Sequence, residues 1–165
     1  MEPLTEKEIR AAFVNCTKGE AKRLSVPRDL PDRPWEDLDY LGWRDPQAPD
    51  RAYLVTVLDG RPTALTLRGS TAGSRQARRS MCSMCLITHS GGVSLMVAPK
   101  AGRAGQQGNS VGAYICDDLA CSLYVRGKRA VGAGARLHET LTLDEKIRRT
   151  VTNLAAFVAK VTGAG

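Results

Sequence analysis

The chain has 165 residues, 42% of them hydrophobic and 5% aromatic, enough for one domain whose core rests on Leu, Val, Ala and Met rather than on rings. Its formal net charge is +7, from 24 basic and 17 acidic residues, and no apolar run approaches the ~18 residues of a membrane-spanning helix. The charged opening Met1-Glu-Pro-Leu-Thr-Glu-Lys-Glu8 has no apolar signal core, which reads against a secretory leader and sets the expectation of a cytoplasmic protein.

Thr5-Glu-Lys-Glu8 is a capping box, with the Thr5 hydroxyl placed to accept from the Glu8 amide while Glu8 reaches back. Ile9, Ala12, Phe13 and Cys16 follow at helical spacing and predict one apolar stripe, with Cys16 filling the core as a small hydrophobe. Gly19 ends this helix, or Glu20-Ala-Lys-Arg-Leu24 continues it. Pro27, Pro31, Pro34, Pro46 and Pro49 then rule out a long helix or a central strand. Trp35-Glu-Asp-Leu-Asp-Tyr-Leu41 reads as one helical turn at most. Trp35, Tyr40 and Trp43 are read as pinning the segment onto the domain rather than stacking on a ligand.

Alternation is clearest over residues 52–68, where Tyr53, Val55 and Val57, then Leu65 and Leu67, flank Asp59-Gly60, a type I′ hairpin signal. A basic loop over 69–79 leads into the first cysteines. Residues 93–98 and 111–116 read as strands on either side of a Gly-rich polar loop over 99–110. Asp117 or Asp118 then caps a helix through Leu119, Leu123 and Tyr124. After a second basic, Gly-rich connector over 126–136, Thr142-Leu-Asp-Glu145 is another capping box. Ile147, Val151, Leu154, Val158 and Val161 trace one face of the last helix, which Gly163 ends.

Cys82-Ser-Met-Cys85 and Cys116-Asp-Asp-Leu-Ala-Cys121 form two close pairs. Two such pairs suit one tetrahedral Zn²⁺ held by four thiolates. The order of cysteine knuckle, hairpin and ligand-bearing helix is the layout of a treble-clef zinc finger. Zinc-binding free energy is then also folding free energy. Disulfides or buried free thiols are the plainer alternatives, although a reducing compartment disfavours disulfides. A C-x-x-C redox pair leaves Cys116 and Cys121 unexplained. His89, four residues after Cys85, is the one rival ligand, and three thiolates with one imidazole still make a structural site.

A four-thiolate site leaves no open position for water. The zinc-deaminase, P-loop and dinucleotide-binding patterns are absent, and His89 and His138 alone support no hydrolytic triad. The expectation is a protein that is not an enzyme.

Charge is segregated along the chain. Residues 29–50 carry seven acids against Arg33 and Arg44, whereas residues 60–115 hold no Asp or Glu and seven basic residues. Part of that excess balances the negative four-thiolate centre. The rest points to a polyanionic partner, RNA or an acidic protein face, unless it is a solvated surface alone. The candidate partner-binding residues are Arg75, Arg78, Arg79, Lys100, Arg103, Asn109, Tyr124, Arg126 and Lys128.

Four stretches together carry a family resemblance: Phe13-Val-Asn-Cys-Thr-Lys-Gly-Glu-Ala-Lys-Arg23, Leu38-Asp-Tyr-Leu-Gly-Trp-Arg-Asp-Pro46, the Cys82/Cys85 knuckle, and Gly108-Asn-Ser-Val-Gly-Ala-Tyr-Ile-Cys116 through Cys121. On these the chain resembles the FBP family, elongation factor G-binding proteins with a C-terminal treble-clef zinc finger, related to fusidic-acid-resistance proteins. The resemblance implies a four-cysteine zinc site and a finger that docks on elongation factor G. In the resistance proteins, docking helps release the factor from a stalled ribosome. The longer resistance proteins also carry an N-terminal helical bundle, and before Pro27 this chain offers one convincing helix.

The expected fold is a single α+β domain over 1–165. A helix and a Pro-rich acidic segment fill 1–50, a β-hairpin 51–70, a four-cysteine treble clef embedded in an antiparallel sheet 80–127, and a C-terminal helix 142–162. The expected protein is a monomer that holds one structural Zn²⁺ and binds elongation factor G and/or the ribosome. Direct binding of RNA, ribosomal RNA included, is the alternative function, and a C-x-x-C thiol redox role the second alternative.

Overall fold

The computed structural model describes residues 1–69, 79–90, 92–131 and 139–163. Arg75, Arg78, His138 and the end of the second basic connector lie outside them.

Thr5 and Glu8 close the predicted capping box on α1 (Glu6–Ala11). The helix stops there, because Thr17 and Glu20 form a second capping box that starts α2 (Lys18–Arg23). Between them the backbone joins the sheet: the Ala12 carbonyl accepts from the Ala64 amide at 2.9 Å, and the Val14 amide donates to the Ala64 carbonyl at 3.0 Å. The single stripe from Ile9 to Cys16 is thereby corrected. Ile9 and Ala12 are buried, while Phe13 and Cys16 lie half-buried beyond the helix. Gly19 lies within α2 and ends nothing.

Two 3₁₀ turns, Leu30–Asp32 and Trp35–Asp37, lead into β1 (Tyr40–Arg44), a strand the prolines conceal. It pairs antiparallel with β2 (Arg51–Leu58) at the sheet edge, so this segment holds no central strand. β2 and β3 (Arg61–Gly69) form the expected hairpin, with Asp59 and Gly60 both left-handed at φ 49° and 73°. β4 (Arg79–Met81) and β5 (Thr88–Ser90) make a separate two-stranded ribbon. β6 (Val93–Pro99) and β7 (Ser110–Cys116) complete a five-stranded antiparallel sheet in the order β1-β2-β3-β6-β7.

The Gly-rich loop between β6 and β7 is compact rather than open. It contains α3 (Gly102–Gln106), and the Lys100 amide closes it by donating to the Asn109 carbonyl at 2.9 Å. Only glycine fits at 105, where a Cβ would lie 1.8 Å from the Lys100 carbonyl oxygen.

α4 (Cys121–Val125) and α5 (Leu143–Thr162) complete the chain. α5 has its capping box and left-handed Gly163 as expected, but it buries Thr150, Leu154, Phe157, Val158 and Val161. Ile147 is half-buried on that face, and Val151 is exposed at its edge. Thr150 is tolerated in the core because its hydroxyl donates to the Lys146 carbonyl at 2.9 Å, leaving its methyl to pack.

A core packs against each face of the sheet. On one, Tyr40, Leu54, Leu65 and Met96 pack with the four cysteines and α5. On the other, Leu41, Trp43, Val55 and Ala64 pack with α1, α2 and Trp35. Along β2 the residues alternate between layers, Ala52 and Leu54 against Tyr53 and Val55, as strand period requires. The apolar residues of the two hairpin strands therefore serve opposite cores: Leu54 faces Leu65 across the ladder, and Val55 faces Ala64. The tryptophans pack as expected, at 6% and 7% exposure for Trp35 and Trp43. The architecture is α+β, with the finger built into the sheet. Among the described residues, no helix is long and apolar enough to cross a membrane.

Candidate metal centre

Cys82 and Cys85 sit between β4 and β5, Cys116 ends β7, and Cys121 opens α4. Three elements thus deliver four sulfurs to one point. All four residues are 0% exposed, none is in a disulfide, and the sulfurs lie within 4.8 Å of one another. Cys82 and Cys121 Sγ are 3.6 Å apart, Cys85 and Cys116 Sγ 3.7 Å. Zinc binds thiolates at about 2.3 Å, so a regular tetrahedron of sulfurs has edges of about 3.8 Å. The donor set fits zinc. A solvent-facing C-x-x-C pair is not what these buried sulfurs form.

The chain reverses tightly at both knuckles. The Leu86 amide donates to the Cys82 carbonyl and the Leu119 amide to the Cys116 carbonyl, both at 2.9 Å. Leu86 and Leu119 are left-handed there, at φ 57° and 56°, a conformation that costs a residue with a Cβ about 1–2 kcal/mol. The expected helix cap at Asp117 or Asp118 is corrected. Ala120 is the N-cap, without a side-chain bond, and Asp118 Oδ1 instead accepts from the Ala120 amide at 3.1 Å. The two extra residues of the C-x4-C spacing form this turn before the helix begins.

Without a cation, hydrogen bonding with Cys121 and then with Cys82 and Cys85 pushes the Cys116 thiol up, and burial adds to the rise. Four thiolates share this space only with a compensating positive charge. Zn²⁺ supplies that charge when bound, and turns the cluster into a buried, net-negative hydrogen-bond acceptor.

Two buried side chains address that acceptor. His89 Nε2 lies 3.4 Å from Cys116 Sγ. A metal-bound thiolate only accepts, so Nε2 carries the proton and donates. The rival ligand thus stands behind a ligand sulfur, outside the four-sulfur group. The Tyr40 hydroxyl is buried and, among the described residues, meets no partner but the cysteine sulfurs beside it. Burial, then the Cys121 sulfur, pushes its pKa well above the ordinary value, so it stays a protonated donor beside a thiolate. Gly42 lets β1 approach: a Cβ there would lie 2.4 Å from Leu119 Cβ. Nothing in its surroundings in sequence marked Tyr40 as a neighbour of the metal.

Tyr124 stacks edge-on against His89, with ring centroids 4.7 Å apart, and donates to Asp118 Oδ2 at 2.8 Å. Burial and Asp118 push its phenol up to about 12. Arg126 forks onto Asp39 at 2.7 and 2.9 Å, and Lys128 pairs with Asp37 at 2.6 Å. Tyr124 and Arg126 are half-buried against their own chain, and Arg126 with the exposed Lys128 clamps the acidic segment to the end of α4. Arg103 and Asn109 are exposed at the tip of the β6–β7 hairpin, with Lys100 half-buried beside them, and Arg79 is exposed on β4.

Sequence reasoning also missed Asn15. Its Nδ2 donates to the Thr66 and Pro99 carbonyls at 3.0 and 2.9 Å, and its Oδ1 accepts from the Thr66 amide at 2.8 Å. It latches the α1–α2 corner onto the sheet.

A search of curated proteins returned no match. A family profile, the FBP C-terminal treble-clef zinc-finger, matches residues 8–161, nearly the whole chain. With four buried sulfurs at tetrahedral spacing on that matched stretch, the chain belongs to the FBP C-terminal treble-clef zinc-finger family.

Proposed function

We propose that this protein is a non-catalytic zinc-finger adaptor that binds elongation factor G, the partner the FBP resemblance implies, with the ribosome as its setting. The sealed donor set supports the absence of catalysis, because four buried sulfurs leave no seat for water or substrate.

An exposed apolar strip carries the choice of a protein partner. Leu95 and Tyr114 stand opposite each other on β6 and β7, at 41% and 52% exposure. They point away from the metal-side core, on strands that contribute nothing to the core under α1 and α2. The Ser83 amide donates to the Tyr114 carbonyl at 2.7 Å, so the first knuckle fixes this ribbon. Met81, two residues before Ser83, is 45% exposed. Large apolar side chains at the surface suit a protein interface better than a phosphate backbone, and Arg103 and Asn109 add polar contacts at the hairpin tip.

The test is retention of elongation factor G by immobilised zinc-loaded protein, with and without a chelator. Retention by the loaded form and its loss on chelation are expected. Leu95→Asp with Tyr114→Asp should weaken binding about ten-fold or more while keeping zinc. Recovery of ribosomal RNA in place of the factor, with affinity falling steeply as salt rises, would favour RNA as the direct partner. Recovery of neither would sink the proposal.

A further inference from the structure

A groove of about 740 Å³ lies between α1 and α2. Ala11, Phe13, Cys16 and Ala21 form its apolar floor, and Lys7, Lys18 and Lys22 stand around it. Its walls are fixed by one side chain. Arg10 Nη1 donates to the carbonyls of Ala21, Lys22 and Leu24 at 2.7, 3.0 and 3.0 Å, while its Nε holds Glu6 at 2.8 Å. Arg10 therefore satisfies the carbonyl end of α2 and neutralises Glu6, the one carboxylate lining the groove among the described residues. Lys7, Lys18 and Lys22 have no carboxylate partner among the described residues. The Cys16 thiol is pushed up by burial and by Glu20, which keeps the floor neutral.

We propose that this groove binds an acidic peptide segment of a partner protein, seating an apolar side chain on the floor while flanking carboxylates meet the three lysines. Each half of the surface calls for one half of that ligand. The floor is apolar and lined by small side chains, so a bulky apolar anchor gains burial there. The rim offers unpaired ammonium groups on both helices, which meet carboxylates on both sides of such an anchor. A single-stranded nucleic acid needs rings to stack on, yet Phe13, the one ring at the groove among the described residues, is already edge-on to Tyr53 at 6.0 Å and 87°. A free fatty acid brings one carboxylate to three lysines. The site uses neither the metal nor the Leu95–Tyr114 strip.

The experiment uses the full zinc-loaded chain and a fluorescein-labelled peptide with a central leucine–phenylalanine pair flanked by glutamates. Fluorescence anisotropy reads affinity, and the rate of Cys16 alkylation by N-ethylmaleimide reads occupancy, since Cys16 lies outside the metal cluster. We expect saturable binding, slower Cys16 alkylation in its presence, and affinity about ten-fold weaker for Lys18→Glu with Lys22→Glu. Lys18→Arg with Lys22→Arg should restore binding. A glutamine-for-glutamate peptide that binds equally well, the absence of saturable binding, or Cys16 protection by oleate or oligouridylate but not by the peptide would each overturn the proposal. Retention of elongation factor G by the charge-reversed variant is measured alongside. Because the groove and the strip share no residue, either reading can fail while the other stands.

Discussion

The two faces of the one sheet are closed by different means, although β2 serves both. On the metal side, Met84, Met96, Tyr40, Phe157 and aliphatic residues surround four cysteines. On the opposite side, Trp35, Trp43 and Tyr53 fill the space, and each indole anchors itself by donating to a backbone carbonyl, Trp35 to Leu30 and Trp43 to Ser25, both at 2.7 Å. A Pro-rich segment with little regular structure can be held by rings that bury area and satisfy their own N–H groups. The knuckles bring almost no rings, and they reverse the chain through two left-handed leucines. There, metal–sulfur bonds replace the apolar area that the segment lacks.

The sharpest way to break this comparison is to remove one ligand. Structural zinc contributes roughly 10–16 kcal/mol in zinc-finger peptides, so Cys116→Ser should lose zinc and the ordered metal-side core together. Methyl NMR of Met84 and Met96 should lose dispersion, while tryptophan emission shifts much less, because both indoles lie on the other face. An equal, simultaneous loss of both signals would mean that the faces are not separable.

The clamp between the halves comes next. The Arg126 and Asp39 side chains are 14% and 8% exposed, and Asp39→Ala leaves the guanidinium unpaired, at a cost of about 3 kcal/mol. The midpoint of urea unfolding checks this, and an unchanged midpoint would remove the clamp from the account. Asn15→Ala acts on the ring-filled side alone. It orphans the Thr66 amide and should cost about 2 kcal/mol, lowering the melting temperature without changing the zinc content. The smallest effect is expected for Leu86→Gly, which relieves the left-handed strain of the first knuckle. It should stabilise the zinc-loaded protein by up to about 1 kcal/mol, and a clear fall in melting temperature would show that the Leu86 side chain matters more than its backbone.

Sequence showed what is local. Thr5/Glu8 and Thr142/Glu145 are capping boxes within one turn, Asp59-Gly60 is a turn in two residues, and paired cysteines advertise a metal by spacing alone. β1 was hidden because Tyr40, Leu41 and Trp43 serve two different cores within a segment flanked by prolines. The rotation of the buried face of α5 onto Thr150 depends on a hydroxyl finding a carbonyl within the helix. The pairing of Arg126 and Lys128 depends on acids 87 and 91 residues away. Charge segregation along the chain was visible, but its folded use, acidic segment against basic helix end, was not. The same basic residues look identical in sequence whether they meet a partner or an aspartate of their own chain.

Whether four thiolates hold one zinc is read by zinc X-ray absorption spectroscopy on the purified protein, with metal stoichiometry measured on the same sample. One zinc per chain with four sulfur neighbours at about 2.3 Å is expected. A nitrogen neighbour at about 2.0 Å in place of a sulfur, or a fully folded protein without metal, would contradict it.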